Sequence, residues 1–352
     1  MTKTKTFFQR KGVKLSIRVL ITLVLFIVLI YTIGIGNVID ALIHVKFPPL
    51  LVAWAFGLFS HYLEASQMKR LMKEADMEIS TLRAFLAGSL SALYGLIIPG
   101  DSLASVAKWA DLSAAVGEKS GVLNSILYRR LMRLMPEIVV GLIAFAIHNP
   151  TDNPLIPAIL GIVSVLILVI SIFFYHPRTG PKINNLMGKV STSILPKSIS
   201  SRIEHVLASL ESFYVFSWQF HLKMFLRSLM IILVGYVSFY FAAISAGIDL
   251  SIIVLLWVKS IILIARQLPI SISGLGVRES ILVAVLTPFG VVDVAAFSLG
   301  IISFTNNIIY GLIGAGYQIS LTFGWVKWRS NIKIDGSGVA GSDPSLQNHE
   351  RE

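Results

Sequence analysis

The side chains best able to do chemistry in this 352-residue sequence are ionisable groups set inside apolar stretches: His61, Glu64, Lys108, Asp111, Arg129, Arg130, Glu137, Lys259, Arg266, Arg278 and Glu279. A charge in such surroundings is costly and normally faces a cavity or a partner. Most of these groups are cations. Lys108, Lys259 and Arg278 lie in irregular stretches interrupted by proline and glycine. Breaks of that kind expose helix N-termini, where unpaired N–H groups and the helix dipole attract an anion. The returning helices are expected to begin near Ser102 and Gly276, which puts Lys108 and Arg278 within their first turns. The chemistry on offer is binding of an anion such as phosphate, and an anionic lipid headgroup is its natural form in apolar surroundings.

Each group also has a structural reading. In GLGVRE, Gly274 and Gly276 allow close backbone approach, and Arg278–Glu279 serves either an anion site or a clamp between helices. Arg129 and Arg130 either reach the site or snorkel to the inner interface and set topology; Arg266 reads as an interface residue. His61 and Glu64, three apart on one helical face, read as an interhelical hydrogen bond or as a metal or proton-relay pair. Lys259 pairs with an acid such as Glu64 or lines a cavity, and Asn306 and Asn307 read as packing glue. No metal-spaced His/Asp/Glu cluster, Gly-x-Ser-x-Gly elbow or Walker-type loop occurs. The expectation is a protein that is not an enzyme and holds no metal or cofactor.

What must position these residues follows from composition. The chain is 55% hydrophobic and only 14% charged, whereas a soluble domain carries roughly a quarter charged residues. Clear apolar spans run over about 15–34, 49–66, 124–147, 154–175, 224–246 and 293–322, each near the ~20 residues that cross a bilayer core. The net charge of +11 falls mostly between spans and without interleaved aromatics, so it reads as a topology signal and not as a nucleic-acid surface. Lys3, Lys5, Arg10, Lys11 and Lys14 place the N-terminus inside; Lys327, Arg329 and Lys333 place the C-terminus inside. The absence of cysteine excludes disulfides and thiolate sites.

Charge parity constrains the two irregular regions, 82–117 and 251–289. The first starts and finishes inside, the second outside, so each is a pair of crossings or a re-entrant hairpin. The breaks fall at Pro99-Gly100 and at Pro269 to Gly276. In each region a cation follows the proline by nine residues, Lys108 after Pro99 and Arg278 after Pro269. Oppositely oriented broken hairpins are the signature of an inverted repeat. The fold class read here is an all-α polytopic membrane protein with about six long transmembrane helices plus two broken, re-entrant helical hairpins. The loop 176–222 has apolar residues at helical spacing over 203–214, either an amphipathic helix on the inner leaflet or one packed on the bundle.

The segment PISISGLGVRESILVAVLTPFGVVDVAAFSLGIIS resembles the hallmark of the lysylphosphatidylglycerol synthase transmembrane-region family, the flippase-like domain proteins, through Pro269, Gly274, Gly276, Arg278, Glu279, Gly290 and Ala295-Ala296. The family's earlier Pro-Gly segment is matched by Pro99, Gly100 and Lys108, with Leu103 and Ala104 in place of glycines and lysine in place of arginine. Its acidic-arginine pair is met by Arg129-Arg130, with Arg129 at the acidic position. The resemblance spans about 15–322, dividing the chain into a basic arm (1–14), one flippase-like transmembrane domain and a disordered tail (323–352) too short for the soluble synthase domain of larger relatives.

The resemblance implies a translocase for an anionic phospholipid or polyprenyl-phosphate-linked lipid in the plasma (inner) membrane of a prokaryote. Lys108, Arg130, Lys259, Arg278 and Glu279 are its expected headgroup residues. The rival reading is an accessory protein that presents lipid to a separate membrane transferase without moving it.

Overall fold

Backbone N–H and C=O groups have no partner in hydrocarbon, so an apolar chain satisfies them within helices. A computed structural model describes residues 36, 39, 43–97, 101–150, 153, 155–176, 178–194, 200, 213, 216–265 and 275–323, and they contain no strand. Ten α-helices follow in order: α1 (Phe47–Glu74), α2 (Thr81–Ile97), α3 (Asp101–Val116), α4 (Ser120–His148), α5 (Leu155–Tyr175), α6 (Gly180–Ile194), α7 (Trp218–Ser245), α8 (Ile252–Ala265), α9 (Val277–Leu286) and α10 (Asp293–Thr322).

Three of the described helices, α4, α7 and α10, are long and apolar enough to cross a membrane. The expected six crossings are therefore met in part. The expected span 15–34 lies outside the described residues, and α1 ends in a run containing Lys69, Arg70, Lys73 and Glu74 that lowers its apolarity. The arm 1–14, the tail from 324, the breaks Pro99, Gly100, Pro269 and Gly274, and Arg266 also lie outside them. Of 203–214 only Phe213 is described, and its ring stacks on Tyr128 at 4.5 Å.

The central pair is α1 against α7, antiparallel and bolted at every seventh residue. Lys46 N–H donates to Ser245 O, Ser238 Oγ to Ala53 O, Ser60 Oγ to Ile231 O, and Gln67 Nε2 to Met224 O. A seven-residue repeat keeps one seam of each helix on its partner, and small polar residues there hydrogen-bond across it as membrane helices do.

Both irregular regions are helix pairs. The first is α2 and α3, and the second α8 and α9. At 1.5 Å per residue, the 10 residues of α9 reach about 15 Å, half of a bilayer core. Helix α10 seats both pairs through glycines. A Cβ on Gly300 would meet Glu279 of α9 at 2.7 Å, and one on Gly314 would meet the Ser89 carbonyl of α2 at 2.2 Å. Only a missing side chain lets these helices approach so closely.

Candidate functional site

Two adjoining cavities open among these helices. The larger, about 350 Å³, is walled by α1, α3, α4, α7, α8, α9 and α10; the smaller, about 230 Å³, by α1, α2, α3, α4 and α10. His61, Glu64, Ser105, Ile126, Arg129 and Asn307 line both, so the two share a wall.

Three of the six cations lining these cavities come from α4. Arg129, Arg130, Arg133 and Glu137 recur at three- and four-residue steps, which turns them to one side of the helix. Pro136, inside the same helix, gives up one backbone hydrogen bond there. Glu64 of α1 is the shared counter-ion. Its Oε1 accepts from Arg133 Nη1, and its Oε2 stands 3.3 Å from Arg129 Nη1. His61 lies one turn away with Nδ1 3.8 Å from Glu64 Oε2, and its ring stacks on Tyr310 at 4.0 Å. Of the two readings of His61 and Glu64, the geometry makes Glu64 the partner of arginines.

Lys259 of α8 faces the larger cavity, as one of its two readings had it. Its ammonium donates to the Gly235 carbonyl of α7 and sits over the Tyr236 and Phe239 rings, 5.1 and 5.5 Å from their centroids. Backbone oxygen and aromatic faces offset the cost of its burial.

Arg278 and Glu279 open α9 and are almost fully buried. Gly276, at φ 80°, turns the chain into the helix. Glu279 Oε2 accepts the Gly276 N–H at 2.7 Å, while its Oε1 accepts from Arg278 Nε at 3.0 Å and from Nη2. The Arg278 guanidinium stands 5.3 Å over the Phe304 ring and lines the larger cavity; Glu279 lies behind it. The clamp is thus formed within the α9 start instead of between helices, and it leaves Arg278 on the cavity wall.

Lys108 is different. It is the eighth residue of α3, about two turns in, since the helix starts at Asp101, one residue before the expected Ser102. It is buried, lines the smaller cavity, and makes no hydrogen bond or ion pair among the described residues. Lys108 and Arg278 therefore fall in two adjoining cavities, where a single shared pocket was expected. Arg130 joins Lys259 and Arg278 in the larger one.

Across both cavities six cations (Lys108, Arg129, Arg130, Arg133, Lys259 and Arg278) face two carboxylates, Glu64 and Glu137. Glu137 Oε1 is buried with no hydrogen-bond partner among the described residues. Trp54, Phe239, Ile262, Leu263 and Ile302 add an apolar wall to the larger cavity. A cation-rich pocket with an apolar side suits an anionic group attached to hydrocarbon.

The family model described as the lysylphosphatidylglycerol synthase TM region matches residues 15–314. The chain belongs to that family. It is accordingly a membrane protein with a lipid-related role, as the resemblance in the GLGVRE segment implied. The match covers all of α1 to α9 and most of α10, so both cavities of this lysylphosphatidylglycerol synthase transmembrane-region member lie inside the matched stretch. Neither the comparison with curated proteins nor that with solved structures gave a match.

Sequence reasoning left this family member's Arg129 open between site and topology, used Arg133 for topology alone, and did not count Glu64 or Glu137 among the headgroup residues. The spacing of Arg129, Arg133 and Glu137 was the available signal. Their convergence with Glu64, 65 to 73 positions away in the chain, is a tertiary fact. Asn306 and Asn307 do pack, with Asn306 filling the space beside Gly57, and both also line the larger cavity.

Proposed function

We propose that this protein is a lipid translocase that carries an anionic phospholipid or polyprenyl-phosphate-linked lipid between leaflets of the plasma membrane of a prokaryote, with both termini cytoplasmic. The observation that carries the proposal is the excess of cations over carboxylates in cavities with an apolar side. Guanidinium forks match phosphate oxygens bidentately, and their attraction is stronger away from water. In this reading Arg130, Lys259 and Arg278 receive the phosphate, Glu279 fixes Arg278, and acyl chains lie along the apolar wall. Lys108 attracts the same phosphate from the adjoining cavity. The short arms of α8 and α9 let the site open to either side by rocking. No covalent step is required, so the reading is transport and not catalysis.

The test is reconstitution into liposomes holding headgroup-labelled phosphatidylglycerol, with exchange read by quenching of the outer leaflet. Wild type is expected to accelerate exchange, and Arg278→Gln, shown folded by circular dichroism, to lower it at least about tenfold, the cost of one charge-assisted contact. Wild-type exchange no faster than empty liposomes, together with a transferase co-purifying from native membranes, would replace translocation by lipid presentation.

A further inference from the structure

Helix α6 (Gly180–Ile194) is built the wrong way round for a helix in water. Asn184 and Ser191, seven residues apart on one face, are each only 5% exposed, whereas Leu186, Met187 and Val190 are 61%, 45% and 47% exposed. Leu186, Met187 and Val190 span an arc of roughly 100° at 100° per residue, while Ile183 is half-buried against the cluster of Tyr128 and Phe213. The helix therefore turns Asn184 and Ser191 to the protein and Leu186, Met187 and Val190 away from it. A patch of that kind marks an interaction surface.

Two observations decide the occupant. Helix α5, just before, also presents Leu155, Ile159, Ile162 and Val165 outward, the pattern of a helix in lipid. The chain passes from α5 to α6 through a tight turn, with the N–H groups of Thr179 and Gly180 both donating to the His176 carbonyl. Helix α6 thus starts where the apolar outward surface of α5 ends. Its charge is the second observation. Lys182 and Lys189 are exposed, seven residues apart on one line beside the apolar arc, and the segment holds no acidic residue. Apolar side chains flanked by lysines match the boundary between acyl chains and anionic headgroups.

We propose that α6 lies in the plane of the membrane at that boundary, with Leu186, Met187 and Val190 in the acyl region and Lys182 and Lys189 on anionic headgroups. The assignment is independent of whether the protein moves lipid. It gives the inner-leaflet role expected of 203–214 to an earlier part of the same loop.

The chain contains no cysteine, so single probes need no background removal. Leu186→Cys, Val190→Cys, Asn185→Cys and Thr192→Cys, all at exposed positions, are labelled with an environment-sensitive fluorophore in the full chain. They are reconstituted into vesicles of phosphatidylcholine with and without phosphatidylglycerol. Labels at 186 and 190 should be quenched by shallow acyl-chain nitroxides and be about threefold less open to aqueous iodide than those at 185 and 192. Lys182→Gln combined with Lys189→Gln should erase the gain in protection given by phosphatidylglycerol. Equal iodide access at all four positions would overturn the proposal. So would covalent dimers through Val190→Cys with a bifunctional maleimide in dilute vesicles, since a second copy would then cover the face.

Discussion

The α2–α3 and α8–α9 hairpins place a cation nine residues after a proline, yet they hold it in different ways. In α8–α9, Arg278 is the second residue of its helix and is gripped by Glu279, which also caps the Gly276 N–H. In α2–α3, Lys108 is the eighth residue of its helix and faces a cavity without hydrogen bond or ion pair among the described residues. The cause is local. Asp101 follows the Pro-Gly break and starts a helix at once, whereas Gly276 delays the helix to Val277 and brings Arg278 to its first turn. The difference teaches that equal sequence spacing fixes the presence of a cation at a break but not its electrostatic state. A gripped arginine is part of the scaffold, while the ungripped lysine, in the proposed reading, meets the ligand.

The hardest blow to the α8–α9 side is Glu279→Ala. It leaves Arg278 buried and unpaired and removes the Gly276 cap, and breaking a buried pair costs about 3–5 kcal/mol. Chemical denaturation in detergent should show that loss, with Glu279→Gln intermediate because its carbonyl still accepts the Gly276 N–H. A wild-type-like midpoint for Glu279→Ala would mean that Arg278 is not held by this grip.

Gly314→Ala strikes the α2–α3 side at its seat. The new Cβ would meet the Ser89 carbonyl at 2.2 Å, a backbone atom that cannot rotate away. Overpacking of this kind costs about 1–3 kcal/mol, and cross-links between α2 and α10 should weaken with it. Gly276→Ala tests the turn. At φ 80° an L side chain is strained by about 1–2 kcal/mol, so unfolding should come earlier and Arg278 should become more accessible to dicarbonyl reagents.

The smallest stability effect is expected for Lys108→Met. Removing a buried cation with no ion pair should leave the denaturation midpoint within about 1 kcal/mol of wild type or raise it, while lipid exchange falls. A loss comparable to that of Glu279→Ala would show that Lys108 is gripped as firmly as Arg278, and the contrast between the hairpins would disappear.

Much of the fold is legible in the order of residues. Helix periodicity, the Pro and Gly breaks and the apolar runs locate α1, α4, α5, α7 and α10 and both hairpins. The starts of α3 and α9, at Asp101 and Val277, fall within one residue of those expected near Ser102 and Gly276, whereas the Glu279–Gly276 contact is made only in three dimensions. The seven-residue ladder between α1 and α7 is visible as spaced small or polar residues only once the partner helix is known.

By itself, then, the sequence determined the solvent, the helical class, the family segment and the inventory of buried charges, because apolar composition and cation count are additive properties of the residues. The tertiary structure alone decided which charges meet. Glu64 becomes the counter-ion of Arg129 and Arg133, Lys259 turns to a carbonyl and two rings, and Lys108 and Arg278 separate into adjoining cavities. Those outcomes depend on helix register and on the glycines of α10, where displacement by one residue rotates a side chain by about 100° and changes its partner.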